Sequence, residues 1–209
     1  MTGLFIVLEG GDGVGKSTHA ARLAEHLAAR GETVLRTREP GGTELGLEIR
    51  GIVLHHRGHV DPRAEALLYA ADRAHHIATV VRPAVERGEI VLQDRYIDSS
   101  VAYQGTGREL GADEIRELSL WATRGLVPDL VLVLDVDPGT ARERMTVERG
   151  ALDRLEAEAR DFHDRVRGAF LEAAAAHPDR YLVVDASREP DVVAAELRDR
   201  VDELLASRR

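Results

Sequence analysis

The residues best suited to chemistry lie close to the start of the chain, in Gly10-Gly-Asp-Gly-Val-Gly-Lys-Ser17. Gly10, Gly15, Lys16 and Ser17 fit the phosphate-binding pattern G-x-x-x-x-G-K-[ST] residue for residue. Glycines allow successive backbone N–H groups to turn inward around a phosphate, an approach that side chains would block. Lys16 is expected to reach the β- and γ-phosphates as a point charge, and the Ser17 hydroxyl to ligate Mg²⁺. The flanks agree with this reading. Leu4–Leu8 is an apolar run suited to a buried parallel strand, and helical signals follow in Ala20–Ala29. A glycine-rich turn that binds nothing would not need the Lys-Ser ending or a helix whose positive dipole end faces the same phosphates. The motif implies nucleoside-triphosphate binding and leaves the use of the triphosphate open.

Further polar clusters fall at predicted strand ends. Glu89–Tyr96 reads as a strand ending in Asp94-Arg95, a pair that is costly to bury unless it is matched or functional. Asp129–Asp135 reads as another strand, with Asp135 as either a metal carboxylate or a packing residue. Arg38-Glu-Pro-Gly-Gly-Thr43 follows a short strand at Thr33–Thr37 and is either a plain turn or a wall of the crevice where open α/β sheets bind ligands. Tyr69 and Arg73, four apart on a helix begun by Asp61 as N-cap and Pro62, share one face and could offer a ring to stack on and a fork of donors. Arg142, Arg144, Arg149 and Arg154 crowd around Gly150 with Asp153 and Glu156 among them. That segment is either a solvated charged helix or a lid carrying arginines to phosphates. His55–His59 has poor metal spacing and reads as a loop, and Trp121 reads as core or interface.

The positioning elements alternate. Helices are expected over Leu45–Leu54, from Pro62 up to a kink or break at Pro83, over Asp113–Arg124, after Asp137-Pro138, over Phe162–Ala176 and over Glu189–Leu205; the last strand is Tyr181–Asp185. This pattern gives an α/β, three-layer P-loop fold: a five-stranded, mainly parallel sheet flanked by helices, in a single domain over 1–209, with the P-loop at 10–17 and a short lid at about 142–156. Strand order does not follow from the pattern. A net charge of −9 argues against broad nucleic-acid or acidic-membrane binding, and the lack of cysteine excludes disulfides and thiolate metal sites. No run approaches membrane-spanning length, so the expectation is a cytoplasmic protein.

Taken together in order, Leu8–Thr18, Arg38–Thr43, Leu67–Arg73, Asp94–Gly105 and Arg149–Glu156 resemble the bacterial thymidylate kinase family of P-loop nucleoside-monophosphate kinases. The resemblance spans nearly the whole chain. It implies transfer of the γ-phosphoryl group of ATP to dTMP, giving dTDP and ADP in dTTP biosynthesis, with Mg²⁺ and a homodimer. ATP would lie on Gly10, Gly11, Asp12, Gly13, Val14, Gly15, Lys16, Ser17 and Thr18. The dTMP would meet Asp12, near the sugar 3′-hydroxyl or Mg²⁺, with Arg38, Ser99 and Tyr69, the last stacked on the base. Arg73 would bond the base carbonyl, Ser100 and Gln104 would help read the base edge, Tyr103 would stand against the sugar 2′ position, and Arg95 would hold the acceptor phosphate. Lys16, Asp94, Arg95, Arg149 and Arg154 would be catalytic, with Ser17, Asp94, Asp153 and Glu156 around the metal. Some members carry an arginine directly after the P-loop Asp. Gly13 stands there in this chain, so the resemblance places the catalytic arginines on the lid, Arg149 first and Arg154 second.

Overall fold

The computed structural model describes residues 3–149 and 153–208, and of residues 146–149 the backbone alone. Five strands, β1 (Leu4–Glu9), β2 (Val34–Arg38), β3 (Ile90–Asp94), β4 (Leu130–Asp135) and β5 (Tyr181–Asp185), form one sheet in the order β2-β3-β1-β4-β5. Every pairing is parallel. Side chains alternate through β1 and define the layers. Leu4, Ile6 and Leu8 pack with Leu23 and Leu27 of helix α1 (Lys16–Ala29) and with Leu197 and Val201 of the C-terminal helix, whereas Phe5 and Val7 enter a second cluster with Ile77, Val81 and Ile115. A third cluster joins Val131 and Val133 to Phe162, Val166 and Phe170. Both faces of the sheet are therefore covered, which is why the strands read as nearly unbroken apolar runs.

The cap chemistry holds. Asp61 accepts from the amides of Arg63 and Ala64 at the start of α3 (Pro62–His76), after α2 (Glu44–His55). Pro83 does not end the helical path: a π-helical segment, Ile77–Val81, precedes it and α4 (Arg82–Glu86) carries on, so the register shift is absorbed upstream of the ring. A short α5 (Ile97–Ser100) runs into a second π-helical segment, Val101–Gly107, and then comes α6 (Ala112–Thr123). Asp137 accepts from Gly139 and Thr140 at the start of α7 (Pro138–Arg149), followed by α8 (Arg160–Ala176) and α9 (Pro190–Ser207).

Trp121 is 80% exposed, which removes the core reading. Asp135 is gripped through both oxygens by Arg167, at 2.7 and 2.8 Å, an ion pair that answers the packing reading.

Candidate active site

Parallel register sets Asp94 beside Leu8, so the carboxylate at the end of β3 faces the loop that leaves β1. Gly15 takes the left-handed conformation (φ +94°) and N-caps α1, a geometry that glycine reaches without a Cβ penalty. Gly13 has φ +73°, and a Cβ there would lie 2.5 Å from the Ala141 carbonyl and 2.7 Å from Met145 Cγ. The first turns of α7 thus press against the P-loop at Gly13 and leave no room there for a side chain. Lys16 Nζ donates to the Gly10 and Gly11 carbonyls at 3.1 and 2.5 Å. Burial and then the Arg95 charge pull its ammonium down to about 8. Ser17 Oγ donates to Asp94 Oδ2 at 3.1 Å, while the buried Oδ1 of Asp94 has no hydrogen-bond partner.

Arg95 has φ 68°, outside the ordinary range for a side-chain-bearing residue. Its guanidinium donates to the Gly10 carbonyl (3.2 Å), Ser99 Oγ (3.0 Å), Asp12 and the Tyr103 hydroxyl (3.2 Å), and lies 5.0 Å from the Tyr103 ring centre. The Tyr103 hydroxyl in turn donates to Asp12 at 2.6 Å. Burial pushes the Asp12 carboxyl up, but Arg95 and Lys16 outweigh it and hold Asp12 well below the usual carboxylate range. Beneath them sits Glu9, the fully buried last residue of β1, which accepts from the Tyr96 amide (2.8 Å), the Ser99 amide (3.1 Å) and Ser99 Oγ (2.6 Å). Burial and then Asp98 push its carboxyl up to about 7. The sequence reading missed Glu9; its only signal was one carboxylate at the end of an otherwise apolar strand.

Asp12, Lys16, Ser17, Asp94, Arg95, Ser99 and Tyr103, above Glu9, line one part of a cavity of about 240 Å³, with Arg38 beside Asp94 in the strand register. Tyr69, Arg73, Ser100 and Gln104 line another part of it. Arg73 is 2% exposed and fully surrounded: Nε donates to Glu39 (2.8 Å), Nη1 to Ser119 (3.1 Å), and Nη2 to the Tyr96 carbonyl (3.0 Å) and Ser100 Oγ (3.1 Å). The other Glu39 oxygen meets His76 Nδ1 at 2.9 Å, and His76 Nε2 meets Thr37 Oγ1 at 2.6 Å. The Tyr69 ring is buried, and burial followed by Glu65 raises its hydroxyl far above its ordinary range, so it stays neutral. Arg50 also lines the cavity and was missed as a site residue; it shares a helix face with Leu54, four residues on, which lines it too.

The segment after α7 divides the remaining expectations. Asp153 and Glu156 line the cavity but cap one another: Asp153 Oδ1 accepts from the Leu155 and Glu156 amides at 2.9 Å, and Glu156 Oε2 accepts from the Asp153 amide at 2.9 Å. Among the described residues no group of three or more His, Cys, Asp or Glu side chains is placed to hold a metal, while the four expected around it, Ser17, Asp94, Asp153 and Glu156, all line the cavity. Arg154 does not line the cavity; it donates to the Val53 carbonyl (3.0 Å) and to Glu65. The side chain of Arg149 lies outside the described residues. Arg144 donates to the Ala186 carbonyl at 3.1 Å. Gly10, Gly11, Val14 and Arg142 line a second cavity, Gly13, Gly15, Lys16, Ser17 and Thr18 face the first, and Asp12 lines both.

A family model described as thymidylate kinase matches residues 8–197. The thymidylate kinase of Leifsonia xyli subsp. xyli is 68% identical over 200 residues, covering 96% of this chain and 95% of that protein. That of Clavibacter sepedonicus is 65% identical over 207 residues, 99% of this chain and 98% of the relative. That of Bifidobacterium longum (strain DJO10A) is 53% identical over 208 residues, 98% and 100%. With a P-loop and a closed donor network facing one cavity, and this likeness over nearly its whole length, the chain belongs to the thymidylate kinase family.

Proposed function

We infer that the chain transfers the γ-phosphoryl group of ATP to dTMP, giving dTDP and ADP on the route to dTTP. The observation that carries this reading is the single cavity with the P-loop lysine at one end and the Arg73–Ser100 pair at the other. A pyrimidine with a carbonyl at position 4 can accept from both Arg73 and Ser100, and the Tyr69 ring beside them suits stacking. Tyr103, fixed between Arg95 and Asp12, stands where a sugar would bridge base and phosphate and is the group placed to exclude a 2′-hydroxyl.

Transfer of a phosphoryl group asks the protein chiefly to position reactants and offset charge. Arg95 holds the acceptor phosphate, whose oxygen is nucleophile enough without a strong general base. Lys16 and the P-loop amides take the donor phosphates. Asp94 stays beside the reacting phosphates, held by Ser17. When bound, Mg²⁺ supplies neutralisation of the phosphate charge; the unpartnered Oδ1 of Asp94 and the Ser17 hydroxyl suit it, in keeping with an ion that uses few protein ligands and several phosphate oxygens. With Gly13 closed to any side chain, the additional cation comes from the end of α7 or the segment that follows it, with Arg149 as the first candidate. Closing that segment would exclude water that would otherwise consume ATP.

No helix among the described residues is long and apolar enough to cross a membrane, and cytoplasmic action agrees with the substrates. A homodimer is supported by the exposed side chains of Trp121 (80%) and Leu67 (58%) on α6 and α3, which pack against each other. The test of the reading is ADP release with ATP and Mg²⁺ and separate dTMP, dUMP, dCMP, dGMP and UMP acceptors. Strong turnover with dTMP, weak with dUMP and near none with the rest is expected. Turnover centred on another nucleotide would overturn the base assignment, and slow ADP release that ignores every acceptor would point to a nucleotide-driven switch.

A further inference from the structure

One face of α3 carries Glu65, Tyr69 and Arg73 at successive intervals of four residues, all buried. Tyr69 and Arg73 line the cavity. Glu65 is fully buried behind them, and it is the only one of the three without a part in the reading above. Its Oε1 accepts from Gln104 Nε2 at 2.7 Å and faces Arg108 Nε at 3.5 Å; its Oε2 accepts from Arg154. Arg108 is itself held by Glu158 at 2.6 Å and lies 5.2 Å from the Phe162 ring centre. Gln104, 1% exposed, lines the cavity beside Ser100.

A carboxylate that binds two arginines can only accept from a third group, and an amide has one donating end and one accepting end. Glu65 therefore decides which way Gln104 points. We propose that Glu65 is the positioning residue for base selection: it takes the Gln104 NH₂ group and so turns the Gln104 carbonyl oxygen toward the base. The cavity then presents donors from Arg73 and Ser100 next to an acceptor from Gln104. That order matches O4 and N3–H of thymine or uracil. It opposes cytosine, which offers an amino group and a bare ring nitrogen at the same two places. Arg154 and Arg108 hold Glu65 in place and tie the polarity of the base pocket to the lid segment and to the residue after the π-helical turn. This inference deepens the dTMP reading and rests on it.

The experiment is the ratio of kcat/KM for dTMP to that for dCMP, measured on one preparation so that the active fraction cancels. In Glu65→Gln Arg154 retains the new side-chain oxygen, Arg108 keeps Glu158, the NH₂ takes the place of Oε1 and faces Gln104, and Gln104 turns over to offer a donor to the base. The ratio should fall at least about tenfold. Glu65→Asp, still only an acceptor, should keep more of the discrimination than Glu65→Gln. In a Gln104→Ala background Glu65→Gln should leave the ratio unchanged, a non-additivity that a purely structural residue would not show. A Glu65→Gln ratio equal to wild type, or a full effect in the Gln104→Ala background, overturns the inference while the dTMP reading stands. A wild type that ignores dTMP overturns the reading itself. The wild-type protein gives a test that needs no Glu65 variant to fold. The Gln104 side-chain NH₂ resonances, assigned by their loss in Gln104→Ala, should be protected from solvent exchange and stay so when dTMP is added. Free exchange, or protection that arises only with dTMP, overturns the assignment.

Discussion

The phosphate part of the cavity comes mostly from one short stretch, Asp12–Thr18, joined by Asp94 and Arg95 at the end of β3; the base part is gathered from α3, α5 and the π-helical turn, backed by Glu39 after β2 and Ser119 of α6. The first works through backbone groups, Lys16, the Arg95–Asp12 pair and a carboxylate oxygen without a partner. In the second, buried charges are matched: Arg73 with Glu39, Glu39 with His76, Gln104 with Glu65. The contrast follows from the two ligand parts. Phosphate is highly charged and alike in every nucleotide, so preformed dipoles and a few cations serve it whatever the base. A base is neutral and must be told from its relatives, which requires donors and acceptors fixed in place before it arrives.

Substitutions can break the contrast at either end. The largest effect is expected at the phosphate end, where Lys16→Met should lower kcat by at least about a hundredfold in the ADP-release assay. Next comes the comparison of Arg149→Ala with Arg154→Ala. The first should cut kcat about a hundredfold, with modest loss of dTMP binding. The second should act mainly on thermal stability and on the KM for dTMP, because Arg154 is committed to the buried Glu65. Equal kcat losses would return Arg154 to the transferring phosphate. At the base end, Arg73→Lys keeps the charge but loses the fork that reaches Glu39, Ser119 and Ser100 together. It should lower kcat/KM for dTMP at least about tenfold, with KM for ATP little changed.

Much of this was legible in the sequence. The P-loop and the caps at Asp61 and Asp137 are local patterns, and each sits where its spacing predicts. The strand order was not legible, because it depends on where crossovers return and not on what any strand contains. Glu9, Glu39 and Glu65 escaped for a related reason. A lone glutamate looks like surface until the fold brings arginines, amides or hydroxyls onto it, and each of these is buried only because distant elements supply its donors. Trp121 shows the converse, a large apolar residue left outside. Asp153 and Glu156 drew their expected place by the metal from the family resemblance; their spacing also suits a turn whose side chains cap its own backbone.

Two smaller effects depend on pH. With Lys16 pulled down to about 8 by burial and Arg95, kcat/KM for ATP should fall as pH rises through about 8. The decline in kcat should come at higher pH, because bound phosphates favour the ammonium. Coincident profiles would mean that another group is titrating. Glu9 has a folded-state value of about 7 against an ordinary 4.5, so the folded chain keeps a proton that the unfolded chain releases. Stability should therefore decline as pH rises from about 4.5 to about 7. Urea unfolding of Glu9→Gln at pH 5 and pH 8 should show a smaller drop than wild type, and an equal drop would place the titration elsewhere.

The separateness of the two ends is tested most directly by calorimetric titration of dTMP into Lys16→Met without ATP. The account predicts a Kd within about threefold of wild type beside the collapse in kcat, since Tyr69, Arg73, Ser100 and Gln104 are held by partners other than Lys16. A dTMP affinity that falls with kcat would contradict it and show that the phosphate and base ends are assembled as one unit.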